Sequence, residues 1–76
     1  MNKEQKEKIK TIKESLENIK IELENIADEE QEKFDNLNEG MQAMEKFQKL
    51  QDNSDTLNYA IEGIDDAISY IEELEE

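Results

Sequence analysis

Apolar residues recur at alternating steps of three and four residues in both halves of this chain. In the first half they are Ile9, Ile12, Leu16, Ile19, Leu23 and Ile26. In the second half they are Phe47, Leu50, Leu57, Ile61, Ile64, Ile68 and Ile71, and Ser54 occupies the one position where the repeat lacks an apolar residue. A heptad repeat of this kind predicts amphipathic helices, each with one apolar seam.

The middle of the chain decides whether the two seams form one continuous rod or a hairpin. The repeat slips there, because the step from Ile26 to Phe34 is eight residues. An antiparallel alignment centred on Gly40 places every residue of the first seam opposite a seam residue of the second, beginning with Ile9 opposite Ile71. Glycine and the neighbouring asparagines favour a turn at this centre.

We therefore predict an all-α fold, an antiparallel two-helix hairpin with coiled-coil-like packing, formed by a single domain over 1–76. The first helix is expected over about 3–36, the turn over about 37–41 and the second helix over about 42–75. Apolar residues around the turn are expected to plug that end of the hairpin, although a methionine-rich tip also suits docking on a partner. These residues are Phe34, Leu37, Met41, Met44 and Phe47.

The distribution of charge favours the same antiparallel pairing. The chain has 22 acidic residues and 9 basic ones, for a formal net charge of −13. Lysines concentrate in the first helix, whereas residues 50–76 contain no basic residue. Exposed ion pairs are individually weak, but their pattern selects antiparallel over parallel pairing. In the hairpin Lys3, Lys6, Lys8, Lys10 and Lys13 are expected beside Glu72, Glu73, Glu75 and Glu76.

The second helix has an apolar face wider than one partner helix covers. Ala60, Ala67 and Leu74 lie seven residues apart and flank its main seam. They predict self-association of two hairpins into a homodimeric four-helix bundle. The alternative is that the alanines serve only as good helix formers.

The residue types argue against an enzyme. The chain contains no cysteine and no histidine, and it has no glycine-rich phosphate loop. No cofactor, catalytic group or metal site is therefore predicted. Acidic runs at 28–32 and 65–66 leave calcium binding as an alternative, but the twelve-residue loop typical of such sites is absent, and charge runs are usually solvated helix faces.

Two tyrosines and one isoleucine are expected on the outer surfaces of the helices, where apolar residues are not needed for the hairpin. They are Ile21, Tyr59 and Tyr70, and the nearby acids are Glu62, Asp66 and Glu73. Tyrosine among carboxylates is typical of a protein-binding surface, since it offers a large amphipathic contact. The alternative is that single exposed apolar residues are common in any protein.

An acidic chain is attracted to basic protein surfaces and repels free nucleic acid and anionic membranes. The predicted partner is therefore a protein with a basic surface, with neither direct nucleic-acid binding nor membrane binding. No apolar run is long enough to cross a bilayer, and the first residues lack the apolar core of a signal peptide. We expect a cytoplasmic protein.

The segment DEEQEKFDNLNEGMQ, residues 28–42, resembles a signature of small acidic helical proteins of bacteriophages and prophages, as does the trailing segment NYAIEGIDDAISYIEELEE. Their pattern reads acid-Glu-Glu-Gln, an aromatic, Asp-Asn, an aliphatic, Pro-Glu-Gly, an aliphatic and Gln. This chain departs from it with Asn38 in place of proline and Phe47 in place of a small residue. The resemblance implies a phage setting, with the host cytoplasm as location, and no particular activity.

In that setting the expected function is to bind and inhibit a host protein, such as a defence or nucleic-acid-associated protein. Nucleic-acid mimicry is one mechanism open to an acidic helical surface. The alternative function is that of a structural or assembly module in a phage particle or a larger complex.

Overall fold

The computed structural model describes residues 1–75 and contains two long helices and one short helix in that range. Helix α1 spans Lys3–Asp35, α2 spans Glu39–Gln42 and α3 spans Glu45–Leu74. The long helices α1 and α3 pack against each other in an antiparallel pair that measures 59 × 15 × 15 Å. The prediction of an all-α helical hairpin is confirmed. The predicted position of Glu76 lies outside the described residues.

Side-chain caps begin the first two helices. The Asn2 side chain accepts a 2.8 Å hydrogen bond from the backbone N–H of Gln5, and the Gln5 side chain accepts one from the backbone N–H of Asn2. This reciprocal capping box satisfies donors that the first helical turn leaves unpaired. Asn38 caps α2 with a single hydrogen bond, in which its side chain accepts from the backbone N–H of Met41 at 2.9 Å.

The connection between the long helices contains α2, where the sequence predicted a glycine-centred turn. Gly40 lies inside α2, and no glycine among the described residues has a positive φ. The reversal depends instead on amide caps. The Gln42 side chain donates to the backbone carbonyls of Phe34 and Leu37, both at 3.1 Å. It thereby adds a partner to the Phe34 carbonyl, which also accepts from the backbone N–H of Leu37, and ties the end of α1 to α2. Asn38 and Gln42 therefore provide what was assigned to the glycine.

Apolar residues close the turn end of the hairpin. Phe34, Leu37, Met41 and Phe47 are each half-buried there, whereas Met44 is exposed. The Lys46 ammonium lies 5.0 Å from the centre of the Phe47 ring. The tip thus covers four of its five apolar residues in part.

The helix interface is thin and has small residues at its centre. Among the described residues, the buried ones are Ala27, Ser54, Ile61 and Ile68. The Ser54 hydroxyl donates a 3.3 Å hydrogen bond to the backbone carbonyl of Ala27, so the polar residue in the seam is satisfied by the facing helix. The sequence placed Ile26 opposite Ser54. In the structure Ala27 occupies that place, because α1 is rotated relative to the predicted seam.

The rotation changes which residues of α1 meet α3. Lys13, Lys20 and Ala27 lie toward α3, while Ile12, Ile19 and Ile26, one residue earlier at each level, are largely exposed. Two features favour this arrangement. Two small residues, Ala27 and Ser54, let the helix backbones approach closely, and both lysines reach acidic partners across the interface.

Candidate binding surfaces

One flank of the helix pair, named the polar side, is closed by hydrogen-bonded side chains from both helices. The Lys20 ammonium lies 2.6 Å from the Asp65 carboxylate. The Gln31 side-chain amide donates to the Gln51 side chain at 2.9 Å. Gln51 and Asp65 are two heptads apart and therefore lie on the same flank of α3. These contacts fix the register of α1 against α3.

A second ion pair joins the helices near the chain ends. The Lys13 ammonium lies 2.9 Å from the Glu75 carboxylate. Lys8 pairs instead within its own helix, with Glu4 at 3.3 Å. Of the several lysine–glutamate contacts expected at this end, Lys13–Glu75 is the one that the described part of the chain forms between the helices.

The ion pairs shift the pKa values of their members. The hydrogen bond from Lys20 to Asp65 raises the pKa of the Lys20 ammonium, and the hydrogen bond to Glu75 raises that of Lys13. The pKa of the Glu30 carboxyl is lowered, mainly by a hydrogen bond from Lys33 and also by one from Asn53. All three groups are thereby held in the charged form, as expected for solvated ion pairs.

The opposite flank of the helix pair is apolar and open. Ile12, Ile19 and Ile26 follow each other at intervals of seven residues and are 53%, 44% and 46% exposed. The sequence assigned these isoleucines to the interior. The signal that identifies them as surface residues is the parallel heptad series Lys13, Lys20 and Ala27, which can pair with acids or pack closely against α3.

The predicted self-association residues lie on this same open flank. Ala60 and Leu74 are exposed and Ala67 is half-buried. Asn53 occupies the same heptad position as these residues, and it lines a surface groove together with Ile26. The stripe of α3 therefore borders the isoleucine stripe of α1. We name the two stripes together the isoleucine face; it consists of Ile12, Ile19, Ile26, Ala60, Ala67 and Leu74.

The structure exposes all three predicted partner-binding anchors but does not gather them into one patch. Tyr59 is 71% exposed and Tyr70 is 69% exposed. The tyrosines are separated by eleven residues of α3, about 16 Å along its axis. Tyr70 lies four residues before Leu74 and so borders the isoleucine face. Ile21 is exposed on the other helix, about 200° around α1 from Ile19.

Carboxylates are spread along the outer surface of α3 rather than clustered. Glu62, Asp66 and Glu73 are exposed. The described residues contain no group of three acidic, histidine or cysteine side chains suited to hold a metal ion. Asp65, adjacent to Asp66 in the sequence, is engaged by Lys20. The exposed carboxylates thus form an extended line of negative charge along α3.

None of the helices formed by the described residues combines the length and apolar character that spanning a membrane requires. No protein-family model, curated protein or solved structure matches this chain.

Proposed function

We propose that this chain is a non-enzymatic binding protein of a bacteriophage whose acidic exterior binds and blocks a basic surface on a host protein. The observation that supports the proposal is the outer surface of α3, where two exposed tyrosines stand among exposed carboxylates. The net charge of −13 extends an attractive field toward cationic partners and speeds their encounter.

In the proposed mechanism, carboxylates attract the partner and tyrosines form the close contact. Glu62, Asp66 and Glu73 attract lysine and arginine side chains of the partner. Tyr59 and Tyr70 supply buried contact area, since tyrosine combines an apolar ring with a polar hydroxyl. Carboxylates repeated along a helix also suit a cleft that normally holds phosphates. The proposed inhibition is occupation of such a nucleic-acid-binding cleft.

The test is capture of host proteins on the immobilised chain, with two matched triple variants. Replacing Glu62, Asp66 and Glu73 by their amides is expected to lower the retained partner roughly tenfold, a loss of about 1.4 kcal/mol. The control replaces Glu7, Glu14 and Glu32, which are exposed on α1, and so makes the same charge change away from the tyrosines. Equal losses in both variants would reduce the proposal to non-specific attraction.

Salt and nucleic acid test the nature of the contact. Raising the salt concentration from 0.05 to 0.5 M is expected to weaken capture because it screens exposed charges. Duplex DNA is expected to displace the partner if both occupy one cleft. A partner retained in the presence of DNA would contradict mimicry while leaving inhibition by another surface intact.

We further propose that the chain acts as a homodimer in which two hairpins form a four-helix bundle. The reason is the thinness of the interface between α1 and α3, in which no large side chain of the described residues is fully buried. Two hairpins that pack together bury the apolar stripes that one hairpin leaves in solvent. Sedimentation at several protein concentrations tests this association.

A second candidate function, a structural or assembly module, is favoured by the isoleucine face, because a subunit of an assembly also needs an apolar contact surface. The two functions predict different locations. An assembly module is expected in purified phage particles in stoichiometric amounts, whereas an inhibitor is expected in the infected cell and absent from the particles.

A further inference from the structure

The isoleucine face is an apolar surface that the single hairpin leaves largely uncovered. Near the turn, Ile26 and Leu57 line a groove with Asn53. Near the chain ends, Leu74 and Ile9 lie in a cleft whose other walls are mainly charged, and Ile12 lies beside Lys8 and Thr11. Between the two ends, half-buried leucines and isoleucines of the seam connect the two stripes. Three isoleucines repeated at one spacing and each about half exposed differ from the scattered apolar residues of an ordinary surface.

We infer that the isoleucine face is the docking surface for a second copy of this chain, with Ile19 at the centre of the contact. The inference rests on the self-association proposed above and assigns it to particular residues. It adds Ile12, Ile19 and Ile26 of α1 to the stripe on α3, so that both helices of each hairpin contribute to the contact.

One long side of the hairpin sets an upper limit on the contact area, and that limit lies close to what a dimer needs. One long side of the hairpin measures 59 by 15 Å, roughly 900 Å². A standard stable interface buries about 800 Å² per partner. In a two-fold symmetric dimer the same surface of each copy forms the contact. Because both stripes repeat every seven residues, the side chains of the two copies can interdigitate at matching intervals.

The charges at the rim of the face are complementary to those of a second copy. Lys8 and Glu29 flank the isoleucine stripe on α1, and Lys49 flanks the facing stripe on α3. If the two turns lie at the same end of the dimer, Glu29 comes near Lys49 of the second copy. If they lie at opposite ends, Glu29 comes near Lys8 of the second copy. Either arrangement therefore places Glu29 beside a lysine of the second copy.

The test compares two isoleucines of the same helix by sedimentation over a range of protein concentrations. Ile19→Glu is expected to raise the dimer dissociation constant on the order of 100-fold, because it buries one unpaired carboxylate from each copy. Ile21→Glu makes the same chemical change on a residue that is 56% exposed and lies outside the face, and it is expected to change the constant less than about threefold. Helicity measured by circular dichroism checks that both variants fold.

A cysteine pair gives a second readout that does not depend on destabilisation. The chain has no cysteine, so Ile19→Cys and Ile21→Cys each introduce a single thiol. With the turns at opposite ends, the position-19 thiols of the two copies face each other, and oxidation is expected to link them. With the turns at the same end, position 19 faces α3 of the second copy, and a short bifunctional thiol reagent is expected to link the pair. The position-21 variant is expected to stay without a covalent link in both treatments. Equal linkage of both variants, or no linkage at position 19 in either treatment, would overturn the inference.

Salt separates failure of this inference from failure of the proposed binding function. Each copy carries a net charge of −13, so salt is expected to strengthen self-association while it weakens binding to a basic partner. If the chain stays monomeric at high salt, the proposed dimer and its interface are both refuted, while the proposed binding of a basic partner is unaffected. A dimer that is insensitive to Ile19→Glu refutes only the interface.

Discussion

The polar side and the isoleucine face flank the same helix pair and differ in how completely the hairpin itself satisfies them. On the polar side, Lys20 meets Asp65 and Gln31 meets Gln51. On the isoleucine face, Ile12 and Ile19 have no comparable cover and remain about half exposed. Polar pairs complete one flank within a single chain, whereas the other flank keeps its isoleucines about half exposed.

This difference shows how one heptad series can serve two contacts. A wide apolar stripe on α1 faces partly toward α3 and partly outward, so Leu16 and Leu23 are half-buried while Ile19 is exposed. Ion pairs and the Ser54–Ala27 hydrogen bond select the rotation of α1. The polar contacts therefore determine which isoleucines the hairpin leaves for a further contact.

The largest expected effect tests whether the interior and the isoleucine face are energetically distinct. Ile68→Ala removes a buried side chain and is expected to lower the free energy of unfolding by about 2–4 kcal/mol. Ile12→Ala, at the position predicted opposite Ile68, is expected to cost less than about 1 kcal/mol because Ile12 is already half in solvent. Urea denaturation at low protein concentration measures both.

Equal stability losses would contradict this prediction, and a smaller truncation of Ile68 is available if the alanine variant does not fold. Equal losses from Ile68→Ala and Ile12→Ala would restore Ile12 to the interior, as the sequence alone suggested. If Ile68→Ala proves too unstable to study, Ile68→Val is expected to cost about 0.5–1.5 kcal/mol and preserves the comparison.

The sequence predicted the secondary structure and the pairing of the helices because both follow from periodicity. The rotation of α1 was not predictable in the same way. Ile26 and Ala27 are adjacent, and hydrophobicity alone favours placing the isoleucine inside. The interior position of Ala27 depends on close packing against Ser54 and on whether Lys13 and Lys20 can reach acidic side chains of α3. Neither can be judged until the two helices are placed side by side.

The exposed tyrosines could be predicted from the sequence, whereas the structure of the turn could not. Exposure of Tyr59 and Tyr70 was predictable, since both lie far from the seam of α3. The construction of the turn was not, because a glycine at the centre of symmetry is an obvious turn residue. In the structure the side chains of Asn38 and Gln42 cap the chain there, and Gly40 is helical. Such capping depends on side-chain geometry that periodicity does not encode.

The second prediction concerns the close approach of the helices at Ala27. Ala27→Leu inserts a larger side chain at a position that is 3% exposed, and we expect a loss of about 1–3 kcal/mol in unfolding free energy. Ala60→Leu makes the same change on the exposed stripe of α3. In urea denaturation at a protein concentration low enough to keep the hairpin monomeric, it is expected to alter the unfolding free energy by less than about 0.5 kcal/mol. A stabilising Ala27→Leu would show that this level of the interface is open.

The third prediction uses pH to isolate the polar side. Because the folded state raises the pKa of Lys20, the ion pair with Asp65 stabilises the fold fully below the ordinary lysine pKa of 10.5, and loses this effect as the pH rises through the raised value. Lys20→Gln is therefore expected to be slightly less stable than the parent at pH 8 and equally stable at strongly alkaline pH.

Thermal unfolding of the two proteins at both pH values measures this difference. The effect is expected to be smaller than that of Ile68→Ala, since both members of the pair are partly solvated. A gap between parent and variant that persists at alkaline pH would assign the contribution of Lys20 to packing of its methylenes instead of its charge.

The smallest expected effect determines how two isoleucine faces are oriented. The first half of α1 is basic, with six lysines and four acids in residues 1–20, whereas residues 21–35 contain seven acids and one lysine. Turns at opposite ends of the dimer place these halves over each other and bring Glu29 near Lys8 of the second copy. Glu29→Lys is then expected to weaken self-association by roughly threefold to tenfold, because an exposed ion pair contributes modestly. Adding Lys8→Glu is expected to restore self-association, because it exchanges the charges of the pair. Restoration by Lys49→Glu instead would place both turns at the same end.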